Sequence, residues 1–207
     1  AVWGMSPDQV QENAVKEGWN RAPDEEGKLP ENSGINVYVA NEEVAGYNAE
    51  IKYYFFNDKF YQAFIDFDFS ELENFDFNYN VFRSVNEYYT AIHDRTITFI
   101  NDIYSLLQKK YGKKQPVFKG LDPKRVFVQL DKDFQRDIWN LRYHPYEYYR
   151  RIVTSAYALW KFPDTEIAFS INISAEDKRF EYTLSFTSTK LKKRVENSVN
   201  QNRMRDF

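Results

Sequence analysis

Apolar and polar residues alternate along several stretches of the chain, and this period of two predicts β-strands. A short strand is predicted from Ile35 to Val39, followed by a turn over Asn41–Gly46. Two longer β-rich runs, Tyr47–Phe56 and Phe60–Phe69, are separated by Asn57-Asp58-Lys59, which is a typical hairpin connection. Such a hairpin predicts a sheet with one buried face and one solvated face.

A second group of strands is predicted nearer the C-terminus. Glu166–Ile173 and Arg179–Thr187 form another hairpin around the polar segment Ser174–Lys178, and further strands are expected at Val126–Leu130 and Ser155–Phe162. Because the strands are grouped in hairpins and do not alternate singly with helices, the pattern favours an α+β fold with an antiparallel sheet.

Two capping boxes mark the beginnings of helices. Ser6-Pro7-Asp8-Gln9 is the first, so a short helix is expected to begin at Pro7 and to end at Gly18. The second precedes the longest predicted helix, Val85–Tyr111, which would be about 40 Å long and carries its apolar side chains on one stripe. The β-branched segment Thr96-Ile97-Thr98 is the point at which this helix is most easily broken.

The remaining segments complete the predicted fold. A basic amphipathic helix is expected at Thr189–Val199, before a polar tail, and residues 116–153 are interpreted as an insertion that contains a helix at Asp131–Leu141. Exposed loops are expected at Asn20–Gly34 and Lys113–Lys124. The whole chain is therefore predicted to be a single α+β domain, in which an antiparallel sheet packs against a long helix, with shorter N- and C-terminal helices.

Composition excludes several classes of function. The 207 residues include 28 Lys and Arg against 31 Asp and Glu, a net charge of −3, which argues against a protein whose main role is to bind nucleic acid. No cysteine is present, so disulfides, thiolate zinc sites and cysteine nucleophiles are excluded. Histidine occurs only at His93 and His144, and the seven glycines form no phosphate-binding loop. We therefore expect no catalytic residues, no metal site and no cofactor.

The N-terminal segment bears on where the protein works. No stretch of 18 apolar residues is present, so no transmembrane segment is predicted. The sequence opens at Ala1-Val2-Trp3-Gly4 without a signal peptide, which is interpreted either as an artificially trimmed chain or as the mature form of an exported protein after leader removal.

The motif Trp3-Gly4-Met5-Ser6-Pro7-Asp8-Gln9-Val10 resembles the opening of small exported bacterial envelope domains, such as the small outer-membrane lipoprotein and β-lactamase-inhibitor-protein-like group. Uncharacterised exported proteins with this opening also share an order of later motifs, which here are Tyr53–Tyr61, Leu106–Gly112, Trp160, Thr165–Ile167 and Tyr182. The resemblance implies a non-catalytic scaffold or binder that is periplasmic or outer-membrane-associated. Its partner would be a protein or a cell-wall component, and its untrimmed precursor could carry a lipid anchor. No functional residue is carried over.

The most distinctive segment for recognition is Tyr143–Arg151, which is rich in tyrosine and arginine. Tyrosine supplies rigid aromatic area at little entropic cost, and the arginine guanidinium fixes the orientation of a partner. The predicted binding residues are Tyr146, Tyr148, Tyr149, Arg150 and Arg151. In the alternative interpretation the tyrosines pack under the insertion and the arginines only solvate it.

Asp66 and Asp68 are the candidates for acid–base chemistry, since two carboxylates on a sheet face lined by aromatics are the machinery of a carbohydrate-active hydrolase. The acidic run continues through Glu71, Glu73 and Asp76. Because Asp66 and Asp68 alternate with phenylalanines, the simpler interpretation is the solvated face of a half-buried strand. The run lacks the loop pattern of a calcium site.

The C-terminal end is basic, with Lys190, Lys192, Lys193, Arg194, Arg203 and Arg205. Contact with a membrane surface or a nucleic acid is one interpretation. The simpler one is a solvated helix face whose cations lie near the helix C-terminus, where the helix dipole favours them.

These patterns predict a non-enzymatic exported envelope domain that binds a protein or cell-wall partner through an aromatic and arginine surface. Two alternatives stay open, a hydrolase with paired carboxylates on the sheet face and a structural scaffold subunit. The hydrolase requires two carboxylates that converge at about 5 to 10 Å.

Overall fold

The computed structural model describes residues 1–15, 18–30, 33–68, 85–120, 122, 156–173 and 180–205. Within them, the helices are α1 (Pro7–Ala14), α2 (Pro23–Glu26), α3 (Val85–Tyr111) and α4 (Thr189–Arg205). The strands are β1 (Asn20–Arg21), β2 (Ile35–Val44), β3 (Tyr47–Phe56), β4 (Lys59–Phe67), β5 (Val117–Gly120), β6 (Ala156–Lys161), β7 (Thr165–Ile173) and β8 (Phe180–Ser188).

The eight strands form one antiparallel sheet in the order β1-β2-β3-β4-β8-β7-β6-β5. The predicted α+β class with an antiparallel sheet is therefore confirmed. The hairpin turns are tight, with positive φ at Ala45 and Gly46 (57° and 85°) and at Asn57 and Asp58 (48° and 57°). Positive φ at both central residues is what type I′ turns require, and these turns match the twist of the strands they join.

Two predictions in the N-terminal region are confirmed in part. The capping box forms, since the Ser6 N–H donates to Gln9 Oε1 (3.0 Å) and the Gln9 N–H donates to Ser6 Oγ (3.3 Å). Helix α1 begins at Pro7 but ends at Ala14, not at Gly18, because Val15 already has extended backbone angles. Gly18 adopts a positive φ of 72° outside the helix.

The predicted loop Asn20–Gly34 is wrong in part, because it contains β1 and α2. The predicted turn Asn41–Gly46 is also too long. Strand β2 continues to Val44, and the turn itself is Ala45-Gly46. Pairing with β3 along the whole of β2 provides hydrogen bonds that outweigh the low strand propensity of Asn41, Glu42 and Glu43.

Contacts divide the chain into two compact units. Unit 1 comprises Ala1–Asp68, Lys161–Ala168 and Thr183–Phe207, and unit 2 comprises Phe69–Trp160 and Phe169–Tyr182. The prediction of a single domain with an insertion at 116–153 stays a prediction, although Val117–Gly120 within that range belongs to the sheet as β5.

In unit 1 the sheet is covered on both faces. On one face Phe55 and Phe60 are buried, and the Trp3 ring lies 5.0 Å from the Phe60 ring. Val37 pairs with Tyr54 and so lies on the opposite face, where a cluster of Ile35, Val37, Tyr61 and Val195 is buried. Val195 comes from α4, so the apolar stripe predicted for the C-terminal helix is the side that packs.

In unit 2 helix α3 packs through aromatic side chains. The Phe99 ring lies 5.3 Å from Tyr182 and 6.0 Å from Phe169. The bounds predicted for this helix are confirmed, and no break occurs at Thr96–Thr98. The threonine hydroxyls find partners without breaking the helix, since Thr98 Oγ1 donates to the Asp94 carbonyl (2.8 Å) and Thr96 Oγ1 shares a hydrogen bond with the Tyr182 hydroxyl (3.3 Å).

Other predictions have mixed outcomes. Helix α4 continues to Arg205, so the predicted polar tail is helical up to that residue. The predicted strand Val126–Leu130 and helix Asp131–Leu141 lie outside the described residues. In the part of the chain that the structure describes, no helix is both long and apolar enough to cross a membrane.

Candidate functional site

Strand β5 lies at one end of the strand order, and among the described residues its hydrogen-bonded neighbour is β6. The antiparallel register pairs Val117 with Leu159 and Phe118 with Ala158. A strand in this position presents a row of backbone N–H and C=O groups on its outer side, which is a template for a further strand.

Two apolar side chains of β5 are exposed. Val117 is 62% exposed and Phe118 is 42% exposed, whereas their partners Leu159 and Ala158 in β6 are buried. Successive side chains of a strand point to opposite faces of the sheet, so Val117 and Phe118 lie on different faces. At β5 each face of the sheet therefore ends in an exposed apolar side chain. An added strand would therefore bury apolar surface on both faces at once.

The chain leading into β5 is fixed by Trp160 of β6. Its indole Nε1 donates to the Lys114 carbonyl at 3.1 Å, and its ring packs edge-on against Tyr104 of α3 at 5.2 Å. Both aromatic side chains are buried, and burial raises the pKa of the Tyr104 hydroxyl above its ordinary value, which keeps it neutral. These contacts hold the segment that leads into β5 against β6, and hold β6 against α3.

Basic residues and a proline surround β5 in sequence. Lys113 and Lys114 precede it, Pro116 adjoins it and Lys119 lies within it. Lysine and proline are the residues with which proteins prevent indiscriminate pairing at sheet edges. An edge of this kind repels basic segments and favours an acidic one.

A separate cluster of charges lies on one face of unit 1. The Lys52 ammonium lies 3.4 Å from Asp66 Oδ2, 3.4 Å from Glu50 Oε1 and 3.9 Å from Glu25 Oε1. Burial alone would lower the pKa of Lys52, but the charges of Asp66, Glu25 and Glu50 outweigh burial and raise that pKa. The cluster is an ion-pair network centred on a protonated lysine.

This network bears on the carboxylates predicted for hydrolysis. Asp66 lies opposite Glu50 across the β3–β4 pair, and its Oδ1 also accepts a hydrogen bond from Thr183 Oγ1 (2.9 Å). Asp68 is exposed beyond the end of β4, where its backbone N–H donates to the Asn48 carbonyl (3.0 Å). The carboxylates that share Lys52 with Asp66 are therefore those of Glu50 and Glu25.

Most of the predicted site residues lie outside the described residues. These are Tyr146, Tyr148, Tyr149, Arg150, Arg151, Glu71, Glu73, Asp76 and His144. His93 lies in α3, at a position where the side chain is not described. Among the described residues, no group of three or more histidine, aspartate or glutamate side chains is arranged to hold a metal ion.

Strand β5 was missed by sequence reasoning, which predicted a basic loop at Lys113–Lys124. The available signal was the pair Val117-Phe118 between Pro116 and Gly120. Two strand-forming residues are too few for a period of two to be recognised.

Comparison with protein-family models, with curated proteins and with solved structures yields no match. The resemblance inferred from the Trp3–Val10 motif therefore stays a prediction. Function is inferred from the fold and from the geometry above.

Proposed function

We propose that the chain is a non-enzymatic exported envelope domain that binds a partner protein by taking up an extended segment of it beside β5. One observation carries the proposal: β5 ends the strand order and exposes Val117 and Phe118 on its two faces. In strand addition, main-chain hydrogen bonds supply affinity, and side-chain contacts on alternate faces supply specificity.

The partner segment is proposed to be acidic. Lys113 and Lys114 are exposed and stand before the strand, so carboxylates on an incoming strand would find cations at that end of β5. The buried Trp160 and Tyr104 support β5 from inside unit 2, and α3 supplies part of that support. The segment Tyr143–Arg151 remains the proposed second contact with the partner. A periplasmic or outer-membrane-associated location also remains part of the proposal.

The test uses two labelled ten-residue peptides, one alternating Glu with Val and one alternating Lys with Val, and follows fluorescence anisotropy. We expect the acidic peptide to bind and the basic peptide not to bind. The double substitution Val117→Asp and Phe118→Asp should weaken acidic-peptide binding at least about tenfold, which corresponds to about 1.4 kcal/mol. Because both side chains are exposed, the melting temperature should change little.

A matched control replaces an exposed apolar residue elsewhere in unit 2. Leu106 on α3 is 37% exposed, and Leu106→Glu retains good helix propensity. This control should bind the acidic peptide like the unmodified chain. Equal binding of the two peptides, no binding of the acidic one, or full binding by the β5 double variant would each refute strand addition at β5.

A further inference from the structure

Four cations of the C-terminal helix stand at its N-terminal end. The predicted helix Thr189–Val199 and α4 (Thr189–Arg205) begin at the same residue, so Lys190, Lys192, Lys193 and Arg194 occupy the first two turns, and only Arg203 and Arg205 stand in the last turn. The positive end of the helix dipole lies there and repels cations. No acidic residue in the first turn offsets this repulsion. The interpretation by a favourable helix dipole therefore does not hold for these four cations.

One of these cations has a clear structural role, and the others are exposed. Lys192 pairs with Glu166 of β7 at 3.4 Å, and this pair helps to hold α4 on the sheet. Lys190, Lys193 and Arg194 are exposed and stand at i, i+3 and i+4, so they share one side of the helix. This side faces away from the apolar stripe that packs in unit 1.

The start of α4 is joined to the turn between β6 and β7, and Trp3 of the N-terminal segment bonds the same turn region. The Thr189 N–H donates to the Asp164 carbonyl (3.0 Å), and Thr189 Oγ1 donates to the Pro163 carbonyl (3.2 Å). Next to them, the Trp3 indole Nε1 donates to Thr165 Oγ1 (2.9 Å). The neighbour of Trp3 in the chain, Val2, is 64% exposed. An exposed apolar residue thus lies at the same end of unit 1 as the exposed cations.

We define the basic patch as Lys161, Lys190, Lys193 and Arg194, together with Val2. All five are exposed. In α4, Lys190, Lys193 and Arg194 stand against one exposed carboxylate, that of Glu196, and Asp164 is the exposed carboxylate of the turn beside Lys161, whereas helix α1 after Val2 carries exposed Asp8 and Glu12. We propose that the basic patch docks on the surface of a bilayer that contains anionic lipid. Lysine and arginine are drawn to anionic headgroups, and Val2 beside Trp3 supplies apolar contact with the interface.

A bilayer fits this surface better than a nucleic acid does. Attachment to a phosphate backbone would make no use of an exposed valine, whereas the interface of a bilayer would. With a patch of four cations, docking on anionic lipid is weak, reversible and sensitive to salt. The residues of the patch differ from Val117 and Phe118 of β5, so the two proposals are tested with different substitutions.

The experiment is sedimentation of the full chain with vesicles of phosphatidylcholine that contain about 30% phosphatidylglycerol, compared with pure phosphatidylcholine vesicles. We expect binding to the anionic vesicles only, and loss of that binding at about 0.5 M salt. The substitutions Lys190→Glu and Lys193→Glu should reduce the bound fraction at least about fivefold while the melting temperature stays equal or rises, because acidic residues suit the first turns of a helix. A merely structural role of these lysines predicts a fall in melting temperature instead.

The control makes the same change of charge elsewhere. Lys109→Glu with Lys110→Glu lies in the last turn of α3 and should leave vesicle binding unchanged. Binding to neutral vesicles, retained binding by the α4 variant, or equal loss in the control would overturn the proposal. If a short DNA duplex binds more strongly than the anionic vesicles and releases the chain from them, the proposal is overturned in favour of a nucleic-acid site. If the unmodified chain binds anionic vesicles but does not bind the acidic peptide, the proposal for β5 is refuted and the proposal for the basic patch stands.

Discussion

The two terminal strands of the sheet are built in opposite ways. Strand β1 has two residues, and Arg21 in it forms a fork with Glu26, with Nε and Nη2 donating to the two carboxylate oxygens at 2.9 and 3.0 Å. Nη2 also donates to Asn36 Oδ1 (3.1 Å). The preceding Trp19 stacks on Tyr38 at 4.8 Å. The polar and aromatic side chains at the β1 edge therefore bond and stack with neighbouring residues of the same fold.

At strand β5, by contrast, apolar side chains point into solvent. Val117 and Phe118 are exposed, and the aromatic contacts at this edge, between Trp160 and Tyr104, lie beneath it. The comparison teaches that both edges are exposed but present different chemistry: β1 exposes the polar Asn20 and Arg21, and β5 exposes the apolar Val117 and Phe118. We call β1 the closed edge, because its exposed side chains form hydrogen bonds within the fold.

The largest expected effect comes from removing the support of β5. Trp160→Ala deletes a buried indole, its hydrogen bond to the Lys114 carbonyl and its contact with Tyr104, and should lower the free energy of unfolding by about 3 to 5 kcal/mol. Chemical denaturation measures this change. Trp160→Phe keeps an aromatic ring and loses only the donor, so it should cost less. A loss below about 1 kcal/mol for the alanine variant would mean that the indole does not support the edge.

A smaller effect is expected at the closed edge. Trp19→Ala removes the stack on Tyr38 from a half-buried position and should lower the free energy of unfolding by about 2 kcal/mol. Acidic-peptide binding should be unchanged, since β1 belongs to unit 1. If peptide affinity fell in parallel with stability, the functional distinction between the two edges would be lost.

The smallest effect is a dependence on pH at β1. The hydrogen bond from Arg21 lowers the pKa of Glu26 below its ordinary value of 4.5, and the Val37 N–H, which donates to Glu26 Oε1 at 3.0 Å, acts in the same direction. A lowered folded-state pKa stabilises the fold at pH above the unfolded value, and that contribution disappears as the pH falls through the folded value. Glu26→Gln should therefore cost at most about 1 kcal/mol at neutral pH and nothing in acid.

Denaturation midpoints at neutral and acidic pH measure the dependence. The amide oxygen of the Glu26→Gln variant can still accept the Val37 N–H and Arg21 Nε, whereas its NH2 group cannot accept from Arg21 Nη2, so the substitution removes the charge together with one arm of the fork. The same loss of stability at both pH values would show that the Arg21 fork does not depend on ionisation of Glu26.

Local patterns predicted the parts of the fold whose partners are close in sequence. The β3–β4 hairpin around Asn57-Asp58 and the 27-residue helix α3 were recognised because each carries its own period and its own turn or capping signal. Helix α4 was predicted too short, since Asn200–Arg205 has no apolar period.

The candidate site could not be predicted because it depends on distant pairing. Strand β5 has four residues, and its partners in β6 begin at Ala156, so its strand conformation depends on contacts that local sequence does not encode. The burial of Trp160 and the exposure of Phe118 follow from that pairing. Sequence reasoning placed recognition instead at Tyr143–Arg151, outside the described residues.

Amide hydrogen exchange along the two terminal strands tests the central claim most directly. With a saturating amount of the acidic peptide, we predict slower exchange at Val117–Gly120 and no change at Asn20–Arg21. The assignment of β5 as the binding edge would be contradicted if the bound peptide left exchange at Val117–Gly120 unaltered. It would also be contradicted if exchange at Asn20–Arg21 slowed by the same amount.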